Sequence, residues 1–140
     1  MEVSWEIVLR GLRKGIATTL ELAKVIVPTA IVIRLLQAGG LMQWLAEATA
    51  PFMGWLGLPG EAAVVLFSGY FINLYAAIGA MLTLSLEMRE MTIIAVMLGF
   101  CHSIIAETAI SKKAGAAVSL VLPLRVGTSL AAGLVLGGLL

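Results

Sequence analysis

Residues 62–86, "AAVVLFSGYFINLYAAIGAMLTLSL", run for 25 positions without a charged side chain. About 20 apolar helical residues cross the hydrocarbon core of a bilayer. Hiding so long an apolar run in a soluble domain takes a large interior, and a chain of 140 residues leaves too much of its surface exposed to build one. The rest of the chain agrees: 61% of residues are hydrophobic and 12% charged, against about 25% charged in soluble domains. An unpaired backbone group is costly in lipid, so helices are the simple solution. The expected fold is all-α and polytopic, with an N-terminal amphipathic helix, about three spanning helices, and re-entrant or broken helical hairpin segments.

The flanking segments are less clean. In "MEVSWEIVLRGLRKG", Trp5, Val8, Leu9 and Leu12 fall on one helical side, and Glu6, Arg10, Arg13 and Lys14 broadly on the other. Residues 1–14 therefore read as an interfacial amphipathic helix, with the solvated start of the first span as the alternative. The scattered charges do not suit a signal peptide. A first span is expected over 15–38, with Pro28 inside it; Glu21 and Lys24 either pair on one face or sit near the interface with the true span starting later. Residues 41–60, "LMQWLAEATAPFMGWLGLPG", are too short and too interrupted to cross and read as re-entrant or interfacial, with Trp44 and Trp55 at the interface. A second span is expected over 61–86. Its polar cluster is Ser68, Tyr70, Asn73 and Tyr75, and the Asn73 amide needs partners in hydrocarbon, either across helices or on a ligand.

The most unusual stretch is "GFCHSIIAETAISKKAG", residues 99–115, which contains the only cysteine and the only histidine of the chain. As one straight helix it places His102 and Glu107 on different faces. Broken near "GFCHS" into a hairpin, it gathers His102, Ser103 and Glu107 at a tip within the membrane and returns Lys112 and Lys113 to the side of Arg89. The hairpin fits the tendency of basic residues to share one side, although the charges are few. A last span is expected over 115–140. Arg125 lies far from its ends and calls for an interior partner, Glu107 or Glu21; the alternative is a span that begins at about Leu124, at the lower limit of what can cross. Gly133 and Gly137 make a weak GxxxG signal.

Several classes are disfavoured. Net charge +1 carries no nucleic-acid footprint. One cysteine makes no internal disulfide, and no His/Cys spacing suggests a metal; no cofactor is expected. There is no phosphate loop, HExxH or GxSxG, and His102, Ser103 and Glu107 are adjacent in sequence without the geometry that defines a triad, so no enzyme is expected.

The order of "APFMGWLGLPGEAA", "SGYFINLYAAIGA" and "CHSIIAETAISKKAG" resembles the Gate domain family of nucleoside-recognition membrane proteins, over about residues 15–130. Spore maturation proteins A and B are of this kind, and related segments occur in concentrative nucleoside transporters and the bacterial ferrous-iron transporter. The resemblance implies a single Gate-like domain over 15–140 and a re-entrant hairpin whose polar residues His102, Ser103, Glu107 and Thr108 contact a solute. It implies about one of the two inverted repeats of a complete nucleoside transporter. The expected function is a half-transporter in the cytoplasmic membrane. It would work as a homo-oligomer, for example an antiparallel dimer, or with a second Gate subunit, and carry a small polar, nucleoside-like solute. Asn73 joins the expected pocket; Glu107 binds a proton or cation or pairs with Arg125; Glu21 and Lys24 are charge partners. The rival expectation is a membrane scaffold or partner subunit with no substrate.

Overall fold

A computed structural model describes residues 5–140, and within them every regular element is helical. Helix α1 runs unbroken from Trp5 to Ala38. At 1.5 Å per residue its 34 residues reach about 51 Å, well beyond a hydrocarbon core of about 30 Å. The structure draws no boundary at residue 14: the amphipathic start continues into the first span, and residues 1–4 of it lie outside the described residues. Glu21 and Lys24 are exposed on α1, and no ion pair joins them among the described residues. The pairing expected from their spacing is therefore not made, and neither approaches Arg125 through an ion pair. In place of a partner on their own helix they have free surface, where long side chains can extend towards water.

Helix α2 spans Leu41–Trp55. It is about 22 Å long, short of a crossing. Trp44 and Trp55 point outward. The "GLPG" turn folds back on it: Thr49 donates to Gly60 O at 2.8 Å, and the Gly60 Cα packs directly on the Ala46 backbone, where no side chain would fit.

The stretch expected to be the second span is instead a short hairpin. Helix α3, Ala62–Phe67, passes into a π-helical turn, Ser68–Ile72. Asn73 is extended (φ −171°, ψ 171°), and α4, Leu74–Met81, turns back. A Cβ built on Gly69 would lie 3.2 Å from the Ala77 side chain, a contact that a straight helix eight residues apart cannot make. The apolar length of 62–86 suggests a crossing, but hydropathy is blind to direction. Asn73 supplies the reversal: its Oδ1 accepts from Ala76 N at 2.9 Å and caps α4, meeting its need for a partner within its own turn. The missing Cβ of Gly79 lets α4 approach the Ile26 backbone of α1 closely.

Helix α5, Met88–Phe100, starts on a cap in which Glu87 N donates to Glu90 Oε2 at 2.8 Å. Helix α6 covers Ile104–Lys113 and α7 Val118–Leu139. Rising residue numbers along α5 and α6 meet falling numbers along α7. Arg89 NH2 donates to Gly137 O at 2.9 Å, and Met97 O accepts from Ser129 at 2.7 Å. Phe100 O accepts from Arg125, and Thr108 and Ser111 border a small cleft with Val118 and Val121. Thus α5 and α6 follow one another along a single antiparallel partner. The chain breaks at 101–103, as expected, but does not turn back there. Lys112 and Lys113 lie at the opposite end from Arg89, correcting the hairpin reading of 99–115. The shared-side argument rested on three basic residues, and the packing of α7 against both halves outweighs it.

Among the described residues, three helical stretches are long and apolar enough to cross a membrane: Trp5–Ala38, Met88–Lys113 taken across its break, and Val118–Leu139. The number matches the expectation, but Met88–Lys113 takes the place of 61–86. The chain is an all-α polytopic membrane protein. Its core gathers Val65, Ile93, Ile94, Met97 and Leu98, where the α3–α4 hairpin meets α5. Gly133 and Gly137 are used here against Met97 and Leu56, where a Cβ on Gly133 would come within 2.6 Å of the Met97 sulfur. Arg89 closes this end by donating also to Gly57 O at 3.0 Å, so that a cation meets the C-terminal carbonyls of α7.

Candidate functional site

Ending a helix inside an apolar span leaves carbonyls at its C-terminus and N–H groups at the next N-terminus without helical partners. At the α5–α6 break these groups recruit most of the polar side chains of the region. Met97 O takes the Cys101 N–H and the Ser129 hydroxyl. Leu98 O lies 2.9 Å from His102 Nδ1. Phe100 O accepts from Arg125 Nε at 3.3 Å. On the α6 side, Ser103 N donates to Gly69 O of the hairpin at 2.8 Å, so the interruption of α5–α6 and the tip of the α3–α4 hairpin are joined directly. Among the described residues, the N–H groups of Ile104, Ile105 and Ala106 have no protein acceptor.

Ser103 takes φ 46°, ψ 45°, and is the one described non-glycine residue with positive φ. That region costs an L-residue about 1–2 kcal/mol. The bond to Gly69 holds it there. The turn changes which residues meet: His102 Nε2 lies 3.1 Å from Glu107 Oε1, whereas five residues along an unbroken helix they would be about 140° apart. Glu107 Oε2 meets Arg125 NH1 from α7. The result is a row of three charged or titratable side chains, His102–Glu107–Arg125, each between a quarter and a third exposed.

Of the residues singled out from the sequence, His102, Ser103, Glu107 and Arg125 meet at this break. Thr108 lines the small cleft beside Arg125 and makes no side-chain hydrogen bond among the described residues. Asn73 bonds only within its own turn, and Glu21 and Lys24 stand apart on α1.

Two residues that are not among the expected site residues hold the site in place: Tyr70, noted from the sequence in the polar cluster of 61–86, and Ser129. The Tyr70 hydroxyl and Ser129 Oγ are 2.7 Å apart, and Ser129 in turn donates to Met97 O, so Tyr70 donates into the chain. This ties the hairpin tip through α7 to the end of α5. A signal for Ser129 was present: it stands four residues after Arg125, on the same face of α7.

Comparison with known proteins follows the same geography. A family model for the Gate domain, described as nucleoside recognition, matches residues 19–118 and so covers the hairpin and the break. The chain belongs to the Gate family. This Gate chain is 42% identical over 131 residues to the membrane protein YvoD of Bacillus subtilis, a match that covers 94% of the chain and 42% of YvoD. It is 36% identical over 77 residues to the inner membrane protein YjiG of Escherichia coli K12, across 54% of the chain and 49% of YjiG. The chain thus spans less than half the length of these relatives. No solved structure gives a significant match to the Gate chain.

Proposed function

We propose that this Gate chain is a subunit of an oligomeric carrier in the cytoplasmic membrane. It handles a small polar, nucleoside-like solute at the α5–α6 break. The observation that carries the reading is the His102–Glu107–Arg125 row, partly open, at the meeting of two chain interruptions within apolar surroundings. Intramembrane ionisable residues are costly to keep and line transport paths where they occur. Broken helices expose free backbone groups that become ligands in transport sites, and Ile104–Ala106 carry such free N–H groups here. One broken helix and one hairpin do not enclose a path, so a second copy or a second Gate subunit completes the site. More than half of YvoD lies outside its match to this chain, which leaves room there for a second unit of this size. The name of YjiG supports placement in the inner membrane.

A second reading has its own observation. His102 and Arg125 also cap carbonyls freed by the break, which is what interhelical glue would do in a scaffold with no substrate. Uptake of radiolabelled uridine into proteoliposomes separates the two. The carrier reading expects saturable uptake that falls at least about tenfold in Glu107→Gln, the equivalent of about 1.4 kcal/mol in the rate-limiting step. Uptake equal in the two proteins removes Glu107 from the mechanism. A flat thermal-shift response across a nucleoside panel, with no uptake, favours the scaffold, because a bound ligand raises apparent stability by mass action.

A further inference from the structure

We infer that the His102–Glu107 pair is a binding site for one exchangeable proton. The inference deepens the carrier reading, on which it rests for its role, by naming the ion that moves with the solute.

Counting donors leads to it. His102 Nδ1 faces Leu98 O at 2.9 Å, and Nε2 faces Glu107 Oε1 at 3.1 Å. A carbonyl oxygen only accepts, so the Nδ1 contact uses the single N–H of a neutral imidazole. An ionised carboxylate also only accepts. The second contact is therefore a hydrogen bond only when one more proton lies between Nε2 and Oε1, on either atom. Without it, two lone pairs face each other. Flipping the ring puts carbons where both nitrogens now make contacts and forfeits both hydrogen bonds, so the unflipped ring is the orientation that satisfies its partners.

The surroundings hold this proton in one place. From α7, Arg125 meets the other carboxylate oxygen and turns its Nε to Phe100 O. From the end of α5 come backbone carbonyls, and just beyond it the buried Cys101 thiol. From the hairpin, Gly69 O is occupied by Ser103, and the Tyr70 hydroxyl is turned to Ser129. Glu107 is the carboxylate at this site, and Arg125 leaves Oε1 as the oxygen that faces the ring. Because the His102–Glu107 contact exists only when the helix is broken, the proton also links the two sides of the break. Its departure removes that link and lets α6 move relative to α5, as a coupled carrier requires.

The chain has one histidine, so a ¹⁵N-histidine label reports on His102 alone. The full chain in lipid nanodiscs is examined near neutral pH by ¹⁵N NMR and by infrared spectroscopy. The expected result is either protons on both ring nitrogens or a carboxylic-acid band that is lost in Glu107→Gln. In that variant the amide can donate to Nε2, and the ring is expected to lose its second proton. A neutral ring beside an ionised carboxylate in the native protein overturns the proposal, whether or not any variant folds. Uridine uptake with and without an inward-acid gradient is measured in parallel. A bound extra proton without uptake refutes the carrier and leaves the proton site standing. Uptake that ignores the gradient, with no extra proton, refutes the proton site and leaves the carrier standing.

Discussion

Ser129 offers the sharpest test of how the break is held. Its side chain is fully buried, it donates to Met97 O, and it accepts from Tyr70, which reaches across from the hairpin. Ser129→Ala removes both bonds. Met97 O keeps the Cys101 N–H, so the orphaned group is the Tyr70 hydroxyl. A net hydrogen bond contributes about 0.5–1.5 kcal/mol, and a buried group left unsatisfied costs about 1–3 kcal/mol. Interhelical bonds in membranes average nearer 0.6 kcal/mol. Two bonds and one half-buried orphan therefore point to a loss of about 1–3 kcal/mol. Tyr70→Phe removes one bond and should cost about 0.5–1.5 kcal/mol. The double variant should cost less than the sum, with a coupling of about 0.5–1 kcal/mol, because the Phe ring no longer needs the missing acceptor. Reversible unfolding in mixed micelles measures all four corners. Thr128→Ala is the control: its hydroxyl is exposed and bonds only to carbonyls of its own helix, Leu124 and Arg125, so its effect should stay within about 0.5 kcal/mol. Additive losses, or a Ser129→Ala loss no larger than that of Thr128→Ala, would refute the claim that this chain of hydroxyls joins hairpin, α7 and α5.

Two further outcomes follow from the same packing. Gly79→Ala brings a Cβ to 2.9 Å from Ile26 O, a backbone atom that cannot swing aside, and should cost about 1–3 kcal/mol; Gly138→Ala meets open space and should be neutral or slightly stabilising, as helix propensity favours alanine. Ser103→Gly relieves the left-handed strain at the break and should leave thermal stability unchanged or raised by up to about 1 kcal/mol, whereas Ser103→Val, with a branched side chain at positive φ, should lower it by more than that; the reverse order would show that the break is not held in this conformation.

The residues divide clearly between what could be read in one dimension and what could not. The cluster around His102 is legible because rare residue types within 13 positions of an apolar chain mark it without reference to the fold. Arg125 is legible as a residue in need of a partner, and Glu107 as one of two candidates. The contact of His102 with Glu107 is not legible from helical spacing, which separates them. It needs the turn at Ser103, and that turn is secured by Gly69, a residue 34 positions away.

The chain's class, its polar centre and the glycine pair of α7, Gly133 and Gly137, came from the sequence alone. These follow from hydropathy, rarity and size, which are properties of single residues and short windows. The direction taken at each interruption was decided by tertiary structure. Residues 62–81 turn back because Asn73 caps α4 and Gly79 lets α4 settle on α1. Residues 88–113 continue past their break because α7 packs along both halves and supplies Ser129 and Arg125 to the freed carbonyls. An apolar run shows that lipid or a packed interior must cover it, and only its packing partners determine whether it crosses or returns.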